Sequence, residues 1–342
     1  MKLGNMKNAD SSFQIIHGAQ DKTILGITDN HQLSHQHFVF IKNKIFLQDW
    51  LSKESNIGST GLVIEKSYFE SLTAELNYEI SKKAFFIATV DDVNLAMSYL
   101  SKIFFDEKFQ YANDIVDGRQ MGSAEIDPTA WIAQGVFVGE NVKIGKDVKI
   151  HSGVVLMSGV EIAENSEIFP NTVLYRNVKI GSHVRIHANC TIGADGFGYN
   201  FSKGQHLKVW HMGSVIVHDN VEIGANSCVD SGTFSPTIIG AGTKLDNLVQ
   251  IGHNCRLGVG VIICGQSGLG GSTTLGDFTV VGGRAGVSNG ITIGKAAQVA
   301  GNAGVIGNVE AGEVVGGFPA RNLKEWMKGV AYLRKLSLNK NN

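Results

Sequence analysis

From Ile126 to Val305 an aliphatic residue returns at almost every sixth position. The first run is Ile126, Ile132, Val138, Ile144, Ile150, Leu156, Ile162, Ile168, Leu174, Ile180, Ile186 and Ile192. The second is Val217, Ile223 and Val229, then, after four extra residues near 233–236, Ile239, Leu245, Ile251, Leu257, Ile263, Leu269, Leu275, Val281, Val287, Ile293, Val299 and Val305. Four places after most of them comes a small or β-branched residue, such as Val136, Val142, Ser166 or Cys190. A six-residue beat fits neither the helical period of 3.6 nor the strand period of two. It predicts short parallel strands joined by tight turns, three hexads to a triangular coil of about eighteen residues and roughly nine coils in all. A propeller or sandwich would show turn signals at wider, 8–12-residue spacing. Gly145, Gly181, Gly224 and Gly294 each follow an aliphatic, where a turn needs φ above zero or close backbone approach. Asn141, Asn165, Asn220 and Asn226 fit such corners for the same reason.

The limits of the beat divide the chain. Residues 1–106 lack it and mix strand-like pieces (Phe38 to Ile41, Gly61 to Ile64) with a helical stretch from Val90 to Phe104, as in a small α/β domain. A polar linker over 107–124 leads into a parallel β-helix domain over 125–317. Within the terminal segment 318–342, Pro319 is expected to open a helix. Its apolar stripe is Leu323, Trp326, Met327, Val330, Leu333 and Leu336, and Arg321, Lys324, Lys328, Arg334 and Lys335 lie opposite. The expected class is mainly β: a left-handed parallel β-helix of hexapeptide repeats, an N-terminal α/β domain and a C-terminal helix.

With 30 basic and 31 acidic side chains, no global charge argues for nucleic acid. Cys190, Cys228, Cys255 and Cys264 all lie in the hexad region, Cys190 and Cys255 at the small inward position, and read as buried free thiols of a reducing compartment. No C-x-x-C pair points to zinc, and no apolar run has the length of a signal peptide core or a membrane span. The expected location is cytoplasmic, with no metal or cofactor.

The beat breaks at length once, between Ile192 and Val217, through Gly193-Ala194-Asp195-Gly196-Phe197-Gly198-Tyr199. Insertions in a solenoid emerge as flank loops, where binding groups tend to sit. The second run contains Leu245-Asp246-Asn247-Leu248-Val249-Gln250-Ile251-Gly252-His253-Asn254. With the hexads and the N-terminal stretch Phe38-Val39-Phe40-Ile41-Lys42-Asn43-Lys44-Ile45-Phe46, these segments resemble the UDP-3-O-acylglucosamine N-acyltransferases of lipid A biosynthesis, a hexapeptide-repeat acyltransferase family. The resemblance covers nearly the whole chain.

His253 lies two residues beyond the inward Ile251, at or near a corner. Acyl transfer from a thioester to a sugar amine needs a base for the amine proton, and a neutral imidazole suits it near pH 7. The resemblance implies that His253 is that base, that Asp246 supports it, and that Gly271 supplies a backbone N–H to the oxyanion, as glycine's close approach allows. Asp246 and His253 fall on successive faces of a coil, so contact between them is not guaranteed. It further implies that Phe40 and Phe46 hold a uracil with Asn43, since a flat base stacks on aromatic faces and an amide offers a donor and an acceptor. Asn247, Gly283, Gly290 and Gly304 are assigned to the acyl and donor pocket. The implied assembly is a homotrimer with sites between subunits, the implied donor a 3-hydroxyacyl group on acyl carrier protein, and the basic face of the last helix a docking surface for that acidic carrier. The competing explanations are a core role for Phe40 and Phe46, a solvated corner for His253, a simple turn for Gly271 and a solvated face for the last helix.

The chain departs from the family where Asp230-Ser231-Gly232 stands for Asp-Arg-Gly, where Asn289-Gly290 stands for Gly-His, and where Lys44-Ile45 replaces Pro-Lys. A UDP-sugar-binding paralogue without turnover or with altered specificity therefore stays open, as does another hexapeptide enzyme using acyl-CoA. A γ-type carbonic anhydrase needs three converging imidazoles. His151 and His187 stand two coils apart, about 9–10 Å at strand spacing, His183 and His187 occupy different hexad phases, and no histidine follows His253.

Overall fold

The computed structural model describes residues 1–53, 59–110, 116–318 and 320–338. Its N-terminal part is built on a sheet of five strands, β1 (Gln14–His17), β2 (Gly26–Ile27), β3 (His37–Ile41), β4 (Thr60–Glu65) and β5 (Ile87–Val90), in the order β1-β5-β4-β3-β2. Only the β1–β5 pairing is antiparallel. Parallel neighbours need crossovers. These are α1 (Lys44–Leu51) between β3 and β4, and α2 (Lys66–Glu70) with α3 (Ala74–Lys83) between β4 and β5. Because both faces are covered, β3 and β4 read as continuous apolar runs. One face packs with Leu47, Trp50 and Ile80, the other with Leu100 and Phe104 of α4 (Val93–Phe109). The helix expected over 90–104 thus begins later, capped by Asp92, and runs into the stretch expected as linker, where α5 (Gly118–Met121) also forms.

From Glu125 onward the chain forms the predicted coils. Among the described residues three parallel sheets of ten, nine and nine strands stack in register, apart from one irregularity between Ile192 and Ala194 where the insertion begins, most strands being two residues long. Lys149 pairs with Glu167 and Glu167 with Arg185, each one coil on. Past the insertion Arg185 pairs with Glu222, and past the four extra residues Glu222 with Lys244, so both irregularities leave the stack intact. The aliphatics of the beat fill one continuous core, in which only Ile126 and Ile132 at the open first coil are partly exposed. Inward hydroxyls staple coil to coil: Ser166 Oγ donates to the Gly181 carbonyl at 2.8 Å, Thr172 Oγ1 to His187 at 2.9 Å and Ser267 Oγ to Gly282 at 2.8 Å. Buried polar atoms are thereby paired without interrupting the apolar stack.

The corners separate two roles that the sequence left merged. Asn141, Asn165, Asn220 and Asn226 do adopt left-handed φ, between 55° and 59°. The glycines after the aliphatics do not; a Cβ on Gly224 would stand 2.5 Å from the Asn247 nitrogen of the next coil, so close approach selects them. Of the cysteines, Cys190 and Cys255 are buried, and burial pushes their thiols up to about 11 and about 12. Cys228 and Cys264 are only half-buried, because they stand on the outward strand position and at a corner.

The final helix α6 (Leu323–Leu338) is exposed along its length, and Trp326 of its apolar stripe meets the ring of Phe318 at 6.0 Å between centroids. Pro319, expected to open it, lies outside those residues. No described helix is long and apolar enough to cross a membrane.

Candidate active site

The insertion after Ile192 folds back across the solenoid. Its hairpin, Tyr199–Ser202 with Gln205–Lys208, packs on α4, where the Asn200 amide donates to the Asn94 carbonyl and to Ser98 Oγ. Phe105 meets Trp210 with ring centroids 4.8 Å apart, and Phe40 meets Phe234 at 6.1 Å. These contacts draw the edge of the N-terminal sheet against one corner of the solenoid. Between them lies a cavity of about 410 Å³ lined by Phe40, Lys42 and Phe46 from one side and Phe234, His253, Asn254, Arg256 and Ser272 from the other. The aromatic pair and the histidine singled out in separate segments therefore face one space.

His253 is half-buried, and its ring orientation follows from its neighbours. Its Nδ1 lies 2.8 Å from Asn254 Oδ1. That amide atom also receives the Thr233 backbone N–H at 3.2 Å and the Thr233 hydroxyl at 2.7 Å. A backbone N–H can only donate, so the Asn254 atom is the oxygen and His253 Nδ1 must carry the hydrogen. The neutral ring then keeps its lone pair on Nε2. A Cβ built on Gly271 would sit 2.5 Å from Nε2, and one on Gly196 2.5 Å from the His253 Cβ, so both glycines are needed for close approach. The Gly271 N–H donates to no backbone carbonyl among the described residues, whereas the next N–H, of Ser272, is taken by the His253 carbonyl at 2.7 Å.

Asp246 is not beside His253 within the chain. Its carboxylate receives the N–H groups of Asn247 at 2.7 Å and Gly265 at 2.9 Å, and it lines a different, open cavity of about 530 Å³ with Asn247, His187, Glu222, Lys244 and Cys264. The phase of the beat explains this. Asp246 follows the strand Lys244–Leu245 and His253 follows Gln250–Ile251, which belong to two different sheets. The outer face of the second sheet carries Gln250, Gly268, Gly286 and Gly304 in register. Nothing stands within 4 Å of a Cβ placed on any of those three glycines. Asn247, Gly265 and Gly283 stack along one edge of this bare face; His253, Gly271 and Gly290 stack along the other. The four residues assigned to a donor pocket thus flank or lie on one face.

Asn43 is also placed differently from expectation. It is the N-cap of α1, its side-chain oxygen accepting from the N–H groups of Ile45 at 3.0 Å and Phe46 at 3.3 Å, and it does not line the cavity. An asparagine before a helix serves the orphan N–H groups first. Phe40 is 8% exposed, so it is a core residue with one edge on the cavity, whereas Phe46 is 43% exposed. Asn30 braces the latter by donating from Nδ2 to its carbonyl at 3.0 Å.

Lys42 and Arg256 bring two cations to the cavity. Burial lowers the Lys42 pKa, while the charge of Asp92 pulls it the other way. Sequence reasoning missed both residues, as it missed Asn254, though the adjacency of Asn254 to His253 was a usable signal. It also missed His211, which is 3% exposed with its ring centroid 5.3 Å from that of His253. On the far corner His151 and His187 sit two coils apart with Phe169 stacked between them, at 4.9 and 4.7 Å, and bond to Glu167 and Glu222. No three His, Cys, Asp or Glu side chains among the described residues converge as a metal site.

Residues 120–196 match the family model described as the GMPPB C-terminal domain. Among curated proteins, a UDP-3-O-acylglucosamine N-acyltransferase of Campylobacter jejuni subsp. doylei is 51% identical over 140 residues, 41% of this chain and 44% of that protein. One of Desulfotalea psychrophila is 57% identical over 151 residues, 44% of each chain. The chain thus spans less than half the length of the curated relatives it matches. Among solved structures, a UDP-N-acetylglucosamine acyltransferase from Campylobacter jejuni aligns over 54% of this chain and 68% of its own, with 25% identity and a TM-score of 0.45. The chain is a hexapeptide-repeat β-helix protein that resembles, over some two-fifths of its length, the UDP-3-O-acylglucosamine N-acyltransferases.

Proposed function

We propose that the chain is an N-acyltransferase that moves a 3-hydroxyacyl group from acyl carrier protein to the 2-amine of UDP-3-O-acylglucosamine, in the cytoplasm, as a step of lipid A synthesis. The observation that carries this is the convergence of Phe40 and Phe46 with His253 on one cavity. A uracil stacks against the exposed Phe46, and Lys42 and Arg256 offer cations to the diphosphate. The glucosamine amine then reaches His253 Nε2, the bare nitrogen of the ring. As the amine nitrogen attacks the thioester carbonyl, Nε2 takes its proton, the Gly271 N–H donates to the oxyanion, and collapse expels the carrier thiolate. The acyl chain lies along the face of Gly268, Gly286 and Gly304. Asp246 reaches such a site only from a second copy, across an interface where its corner faces the His253 corner of the first, which is the arrangement a homotrimer with sites between subunits would supply.

Ser231 is buried, accepts the Ser214 N–H at 2.8 Å and donates to the Gly232 carbonyl, so at that position it replaces a cation by a structural hydroxyl. Incubation of the protein with UDP-3-O-acylglucosamine and hydroxyacyl carrier proteins of several chain lengths tests the reading. An N-acylated product supports it; no product at any length favours a UDP-sugar-binding paralogue, and product from acyl-CoA alone favours a different donor.

A further inference from the structure

His211 has no part in the proton transfer just described, yet it is a buried titratable group whose ring centroid stands 5.3 Å from that of the base. It belongs to the end of the insertion, where the chain re-enters the coils. Its Nδ1 lies 2.9 Å from the Val209 carbonyl, which can only accept, so Nδ1 holds the hydrogen. Its Nε2 is buried and has no hydrogen-bond partner among the described residues. Burial without an acceptor for a second N–H favours the uncharged ring. The planes of His211 and His253 meet at 75°, an edge-to-face contact. On its other sides His253 is limited by the Gly196 backbone, by Gly271 at Nε2 and by the bond to Asn254. His211 itself is limited by Gly198, where a Cβ would fall 2.8 Å from its Cε1, and lines a cavity of about 30 Å³ with Asp195, Arg176, Ser214 and Ser231.

We propose that His211 is a positioning residue: its buried, uncharged ring packs edge to face on His253 and closes the last side of the box that holds Nε2 toward the cavity. The inference rests on His253 as the base. It gives the insertion a second task beyond gripping α4, because the loop delivers Gly196 and His211 to opposite parts of one ring. A misplacement of about 1 Å at a reacting atom can cost on the order of a hundredfold in rate without weakening substrate binding.

The test pairs His211→Ala with His211→Phe, which keeps a ring and removes both nitrogens. Kinetics with the UDP-sugar acceptor should show kcat falling about tenfold to a hundredfold in His211→Ala with KM within about twofold, and His211→Phe recovering most of the loss. Diethylpyrocarbonate labelling of His253 at pH 7, read by peptide mass spectrometry, should run several times faster in His211→Ala than in the native chain or His211→Phe. The labelling needs no turnover, so it judges the contact even if His253→Ala proves fully active and the base assignment falls. Unchanged kcat and labelling in His211→Ala, a rise in KM alone, or a His211→Phe as impaired as His211→Ala would each overturn the proposal.

Discussion

At the scale of single residues, the site depends on side chains whose partners leave them one state. Asn254 is the clearest case, since two donors from Thr233 fix its oxygen and that oxygen fixes the tautomer of His253. Asn254→Ala should lower kcat about tenfold to a hundredfold while UMP still protects the protein against thermal unfolding. Asn43 makes the opposite prediction. As a helix cap it contributes about 1 kcal/mol of stability, so Asn43→Ala should lower the melting temperature, with UMP protection retained. A loss of that protection at unchanged stability would restore the base-reading role expected from sequence. For His211, burial first, then the neighbouring His253 and last the charge of Lys208 hold the pKa down to about 4, against the charge of Asp195 and the hydrogen bond to Val209, which raise it. The unfolded chain, with an ordinary value of about 6.5, binds the extra proton first as the pH falls. Stability from the neutral ring is therefore present above about pH 6.5 and is lost on going down to about 4, by at most about 3 kcal/mol. Melting curves should show a smaller loss over that range for His211→Phe than for the native chain.

Among elements, the solenoid coil was the most legible and the insertion the least. Inward aliphatics recur because each coil must cover the next, so Ile251 and its equivalents announce both the fold and the phase of every corner. The same periodicity placed His253 outside the core, and the neighbouring rings confirm the spacing read for His151 and His187, with Phe169 filling the gap between them. It could not show that Asp246 and His253 would stand on opposite edges of one face and line separate cavities, because sequence distance around a corner does not reveal which contacts close. The insertion has no period. Its return onto α4, and the delivery of His211 to the base, depend on tertiary contacts such as Phe105 with Trp210. The exposed stripe of α6 carries a prediction of its own. Trp326→Glu with Leu333→Glu should leave the thermal stability of the coils unchanged and shift the protein to a smaller species in light scattering, since an apolar helix face left this exposed among the described residues is of the kind that assembly buries.

For the whole molecule, the functional claim rests on two parts of different architecture meeting at one cavity. The α/β part brings Phe40, Lys42 and Phe46, and the β-helix brings His253, Asn254, Arg256 and Ser272. A single-turnover comparison of the native chain with His253→Ala, using UDP-3-O-acylglucosamine, hydroxyacyl carrier protein and mass detection of the N-acylated product, tests this most directly. The account predicts product from the native chain and a fall of about a hundredfold or more in its rate for the variant, with UMP protection unchanged. An undiminished rate in His253→Ala would contradict it.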